Sequence, residues 1–131
     1  MNNFIAGGCS FTYGSELGDE VKTKQPSTRS WAYKLKPNRM NYICAAKPGA
    51  GNPGIARRVF EAVSANTDVK VVVVMWSFLS RYDWAMPRHK SLERTRWASI
   101  SPWDTGIGNR EALKKLSGSE FIKIRNKYFK I

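Results

Sequence analysis

The stretch GCSFTYGSEL, residues 7–16, follows the apolar start MNNFIA and sets Ser10 among glycines where an extended strand has to turn. A strand that ends in a Gly-rich turn can hold a serine oxygen out at the edge of a sheet, where a substrate can reach it. A turn that only needs small residues has the same composition. The single histidine, His89 in MPRHKS, is of the residue type suited to taking a serine proton near neutrality. It stands between Arg88 and Lys90 with no carboxylate within three positions, which is equally the pattern of a surface histidine in a basic loop. Arg81 and Asp83, in SRYDW, are spaced to form an ion pair. Such a pair either meets a ligand or fixes the loop while Trp76, Tyr82 and Trp84 pack. The two cysteines, Cys9 and Cys44, each end an apolar segment, and no Cys/His cluster has metal-ligand spacing. Buried free thiols are expected, with no metal and no cofactor.

A chain of 131 residues, 42% hydrophobic and 12% aromatic, suits one globular domain, here residues 1–131 with a less regular basic region from 77 to 131. The longest apolar run, VVVVMW at 71–76, is far short of the roughly 20 residues that cross a bilayer, and the N-terminus lacks the order of a signal peptide. The expectation is a soluble, cytoplasmic protein without a membrane partner. Lys and Arg number 22 against 10 Asp and Glu, for a net charge of +12. Residues 86–131 carry +7 of that excess, which draws the protein towards polyanions. No nucleic-acid-binding motif accompanies the charge, and a solvated basic surface explains it as well.

Those candidate groups need elements to position them. NFIAGG, residues 3–8, reads as a short buried strand, and 14–25 reads as a loop. A helix is expected to start at Pro26, Ser27 and Thr28, to carry Trp31, Ala32 and Leu35 on one face, and to end at Pro37. RMNYICAA, residues 39–46, reads as the second strand. In KPGAGNPG, Asn52 can cap a helix with Pro53 at its first position, running to about Ser64 on an Ile55, Val59, Ala62 and Val63 stripe. The β-branched run from Val69 suits a central parallel strand covered on both faces. Strand, helix, strand, helix, strand predicts an α/β fold: a three-layer, flavodoxin-like short parallel sheet in order 2-1-3 with flanking helices. Loops at the C-terminal strand ends then meet along one rim. SFLSRYDWAMPRHK and WASISPWDTGIG read as irregular loops, followed by helices at 110–116 and from about Ser119, where Ser117 and Glu120 have capping-box spacing.

The strand before GCSFTYG, then SWAYKL, NYICAAKPGAGN and VVVVMWS, resembles the first blocks of the SGNH (GDSL-type) hydrolases, particularly divergent phage-encoded members, over residues 3–80. The resemblance implies that Ser10 is the nucleophile and its backbone N–H one oxyanion donor. It likewise implies that Gly49 in KPGAGN supplies another N–H. Cys9 stands where the family has Asp, and MWSFLSRYDW stands where the family has an Asn-bearing G-x-N-D. The family's C-terminal Asp-x-x-His part is lacking, so the expectation is a truncated SGNH-like domain, acting in an infected cell or a phage particle. Asn52, Ser77, Arg81 and Asp83 are further possible contacts on the rim.

Three readings follow. The first is an SGNH-like serine hydrolase of esters or acyl groups, or a shortened and inactive relative. The second is a non-catalytic phage structural, assembly or binding protein on the same scaffold. The third is a basic nucleic-acid-associated protein whose five tryptophans stack on bases. The segment SEFIKIRNKYFKI, with Phe121, Ile124, Tyr128 and Ile131 on one stripe beside Ile122 and Phe129, predicts an apolar helix that self-associates or docks on a protein partner.

Overall fold

In a computed structural model the chain divides into two compact units, Met1–Ser77 and Phe78–Ile131. The residues described are 1–86, 96–100, 123, 126 and 127. The first unit contains β1 (Asn3–Gly7), α1 (Ser10–Tyr13), α2 (Asp19–Thr23), α3 (Trp31–Leu35), β2 (Asn41–Cys44), α4 (Asn52–Ala65) and β3 (Val69–Val74). The second contains β4 (Tyr82–Met86) and β5 (Arg96–Ile100).

The first unit is a three-stranded parallel sheet in the order β2-β1-β3, as the alternation of strands and helices predicts. Asn3 pairs with Asn41 on one side and Val69 on the other, and the register runs on to Ala6–Cys44 and Gly7–Val74. The Asn3 amide fixes the start of this register by donating to the Thr67 carbonyl at 2.6 Å and accepting from the Asn41 amide at 3.0 Å.

Alternation along β1 sends Phe4 and Ala6 to one face and Ile5 and Gly7 to the other. Phe4 and Ala6 pack with Ala32 of α3, flanked by Trp31, Met40, Tyr42, Val71 and Val73. The opposite face lies under α4, whose Ile55 is fully buried. Gly7 admits α4 to close range, because a Cβ there would collide with the Val59 side chain.

Three expectations from the sequence change here. The β-branched run forms β3 at the edge of the described sheet and not at its centre, and Val72 stays 42% exposed. Where a loop was expected, residues 19–23 form α2. Its first carboxylate, Asp19, accepts from the Ser27 hydroxyl at 2.5 Å and from the Thr28 N–H and hydroxyl at 2.9 and 3.1 Å. That bracket takes the residues expected to start the next helix, so α3 begins only after Ser30, whose hydroxyl accepts from the Tyr33 N–H at 3.3 Å.

In the second unit, β4 and β5 pair antiparallel from Tyr82–Ile100 to Met86–Arg96, where irregular loops were expected. Positions 123, 126 and 127 are helical. His89, the 110–116 helix, the Ser117–Glu120 capping box and the stripe of Phe121, Ile122, Ile124, Tyr128, Phe129 and Ile131 lie outside the described residues. Among the described residues, no helix is long and apolar enough to cross a membrane.

Candidate functional site

Ser10 opens α1, three residues beyond the last residue of β1, and is half-buried. Cys9 precedes it as the N-cap in extended conformation and is 3% exposed, so the backbone turns sharply between a buried thiol and the Ser10 hydroxyl. The turn closes on Gly14, at φ +82°, whose N–H donates to the Ser10 carbonyl at 2.8 Å. A Cβ on Gly8 would collide with Thr12, which is fully buried and whose hydroxyl accepts from the Trp31 indole N–H at 3.3 Å. Close packing of α1 on the strand end therefore requires glycine at position 8.

The loops that follow the two flanking strands are tied to this same end of β1. Lys47 N–H donates to the Gly8 carbonyl at 3.1 Å, and Met75 N–H donates to the Gly7 carbonyl at 3.0 Å. Gly49 occupies the third position of a turn closed by Ala50 N–H on the Lys47 carbonyl at 3.2 Å, with Pro48 second. Its φ of +77° is what a type II turn demands there. A Cβ at Gly49 would meet nothing within 4 Å, so the turn conformation and not crowding calls for glycine.

Asn52 does not cap α4. Gly51 is the N-cap, and Asn52 is the first helical residue. Its Oδ1 instead accepts from the Ser77 N–H at 2.7 Å, joining the loop after β2 to the loop after β3. Capping spacing alone could not reveal this partner, 25 residues away.

The remaining candidates belong to the second unit. Arg81 holds its guanidinium over the Phe78 ring at 5.3 Å, and its N–H donates to the Phe78 carbonyl at 3.2 Å. Asp83 lies in β4 opposite Ser99. In the first unit Trp76, expected to pack, is 57% exposed.

Both thiols are free. Cys44 is half-buried on β2, and burial pushes its thiol pKa up. The neighbouring Tyr42 hydroxyl is raised far more strongly, first by burial and then by Cys44. It sits beside the Cys44 thiol and the Ser30 hydroxyl without a hydrogen bond of full geometry to any described residue. Among the described residues no group of His, Cys, Asp and Glu side chains could hold a metal ion.

The arrangement can present one serine hydroxyl at the end of a central strand, with a glycine turn on one side and a bridged pair of loops across it. No family model, no curated protein and no solved structure matches the chain.

Proposed function

We propose that Met1–Ser77 carries a serine-hydrolase rim of SGNH-like type, acting on an ester or acyl group, with Ser10 as nucleophile. The observation that carries this reading is the position of Ser10: it emerges from the central strand between two loops hydrogen-bonded to that strand's end. In the reaction the Ser10 oxygen bonds to the carbonyl carbon, and the π pair moves onto the carbonyl oxygen. Collapse expels the alcohol, which carries away a proton, and water then releases the acid and restores the serine. The backbone N–H groups of Ser10 and Gly49 are the proposed donors to the oxyanion.

Turnover is slow in this reading, because an unassisted serine hydroxyl is a weak nucleophile and residues 1–77 contain no histidine. An activated-serine probe, a fluorophosphonate, tests it on the full chain. Weak labelling that disappears in Ser10→Ala is expected; labelling that persists in that variant rejects Ser10 as nucleophile. Loss of labelling in His89→Ala would identify His89 as the base.

A second reading, a non-catalytic assembly or binding protein on this scaffold, draws on exposed apolar side chains. Phe11, Phe60 and Trp76 are 67%, 72% and 57% exposed. Complete absence of labelling together with concentration-dependent sedimentation at micromolar protein favours it over the hydrolase; a strict monomer counts against it.

A further inference from the structure

The ladder between β1 and β3 uses one side of β3 only. Val74 pairs with Gly7, and the next N–H, that of Met75, donates to the Gly7 carbonyl at 3.0 Å. Along a strand the N–H and carbonyl of one residue point to the same side, and those of the next residue point to the other. The backbone groups of Val73 therefore turn towards β1 with those of Met75, and those of Val72 and Val74 turn away. On that outer side no described strand lies against β3, and among the described residues the outward groups of Val72 and Val74 have no hydrogen-bond partner.

An open edge of this kind is a template for another strand. Its side chains are uncovered as well: Val72, Met75 and Trp76 are 42%, 37% and 57% exposed. Only the start of β3 is guarded, because Lys70 is exposed and is the extra residue of a bulge between the Asn3–Val69 and Phe4–Val71 pairs. The stretch open to pairing thus runs from Val71 to Trp76.

What fits this edge is set by its own sequence. About a two-fold axis through Val73, an antiparallel copy sets Val72 opposite Val74 and Val71 opposite Met75, so the outward groups of Val72 and Val74 answer one another. At each end of the paired stretch Lys70 of one copy then comes opposite Trp76 of the other, an ammonium beside an exposed indole. The two lysines stay roughly 20 Å apart, six strand rises, well beyond the screening length of about 8 Å. Moving the axis to Val72 loses this match, because Lys70 then faces Val74 and Trp76 faces Asp68, outside the strand.

We propose that two copies of the chain form a two-fold dimer by pairing their β3 edges antiparallel about Val73, which joins the two parallel sheets into one. The proposal does not depend on Ser10 as a nucleophile. So short an interface lies below the size of a standard stable complex, and the dimer dissociates on the order of 10 μM.

Sedimentation velocity of the full chain from about 1 to 100 μM, a range that brackets that constant, tests it. Lys70 and Trp76 are the levers, since both are exposed. Trp76→Lys sets ammonium against ammonium at both ends and is expected to raise the dissociation constant at least about tenfold, whereas Trp76→Glu sets a carboxylate there and keeps the dimer. Adding Lys70→Glu to Trp76→Lys should restore it. A strict monomer at the highest concentration overturns the proposal. A dimer that does not distinguish Trp76→Lys from Trp76→Glu overturns it too, places the contact elsewhere, and leaves the assembly reading of the exposed side chains standing. Fluorophosphonate labelling of Ser10 is read separately and bears on neither outcome.

Discussion

β1 and β3 are neighbours in one parallel sheet, yet the more apolar of the two is the less buried. NFIAG contains an asparagine and two small residues, and every position from Phe4 to Gly7 is buried. VKVVVV is almost wholly β-branched, and none of its residues is buried; Lys70 and Val72 face solvent. Composition sets what a strand can bury, but its place in the sheet decides what it does bury. β1 has a strand on either side, α3 packing beneath it and α4 above. β3 has β1 on one side only in the described sheet. The sequence invites the error because a dense valine run is the usual mark of a central strand.

The sharpest way to break this contrast is truncation in the two strands. Phe4→Ala empties the centre of the α3-side core and should cost about 3–5 kcal/mol, whereas Val72→Ala on the exposed edge should cost about 1 kcal/mol. Urea melts of both variants check it, and equal losses would mean that β3 is covered as thoroughly as β1.

The two glycines at the rim extend the contrast from strands to loops. Gly8→Ala pushes a methyl group into buried Thr12 and should destabilise by about 1–3 kcal/mol through overpacking. Gly49→Ala meets open space and loses only the ease of its left-handed backbone, about 1–2 kcal/mol. Thermal melts should rank Gly8→Ala as the more damaging. The reverse ranking would place the tighter constraint on the turn.

The smallest effect is confined to acid. The Ser27 hydroxyl and the Thr28 groups hold the Asp19 carboxyl below its ordinary value of 3.8. The unfolded chain therefore takes up this proton first, so the bracket's contribution is complete above about pH 4 and is lost as pH falls through the lowered folded value. Asp19→Asn should remove that part of the acid limb of a melting-temperature profile and leave the shape between pH 5 and 8 unchanged. An identical acid limb in both proteins would show that Asp19 carries none of the acid sensitivity.

The elements legible in the sequence are those with local signals. The apolar segments gave β1, β2 and β3, Pro53 with the Ile55 stripe gave α4, and their alternation gave the 2-1-3 order. The misses have a common cause in partners distant along the chain. α2 has five residues, a Gly18 N-cap at φ +93° and no buried residue. It is anchored through Asp19 to Ser27 and Thr28, which no periodicity reports. β4 and β5 are separated by nine residues and carry none of the short Gly-Asn turns that mark a tight hairpin. At the site, Ser10 and Gly49 were singled out by type and motif. Asn52 was misassigned because α4 starts one residue earlier than its Asn-Pro signal implies, with Gly51 as N-cap, which leaves the Asn52 oxygen to the Ser77 N–H, a partner distant in the chain.

The two cysteines turn the rim into its own stopwatch. Cys9 is sealed just past the end of β1, and Cys44, with its raised thiol pKa, ends β2. A small disulfide reagent has to wait for buried Cys9 to come open, whereas half-buried Cys44 is held back mainly by its raised pKa, so the Cys9 rate reads how often the end of β1 comes apart and the Cys44 rate serves as its reference. Single-cysteine variants give the two rates separately. A Cys9 rate that slows against that reference as a phosphonate adduct forms on Ser10 would reveal a strand end that the adduct holds shut; an unchanged ratio would reveal an end that opens independently of it.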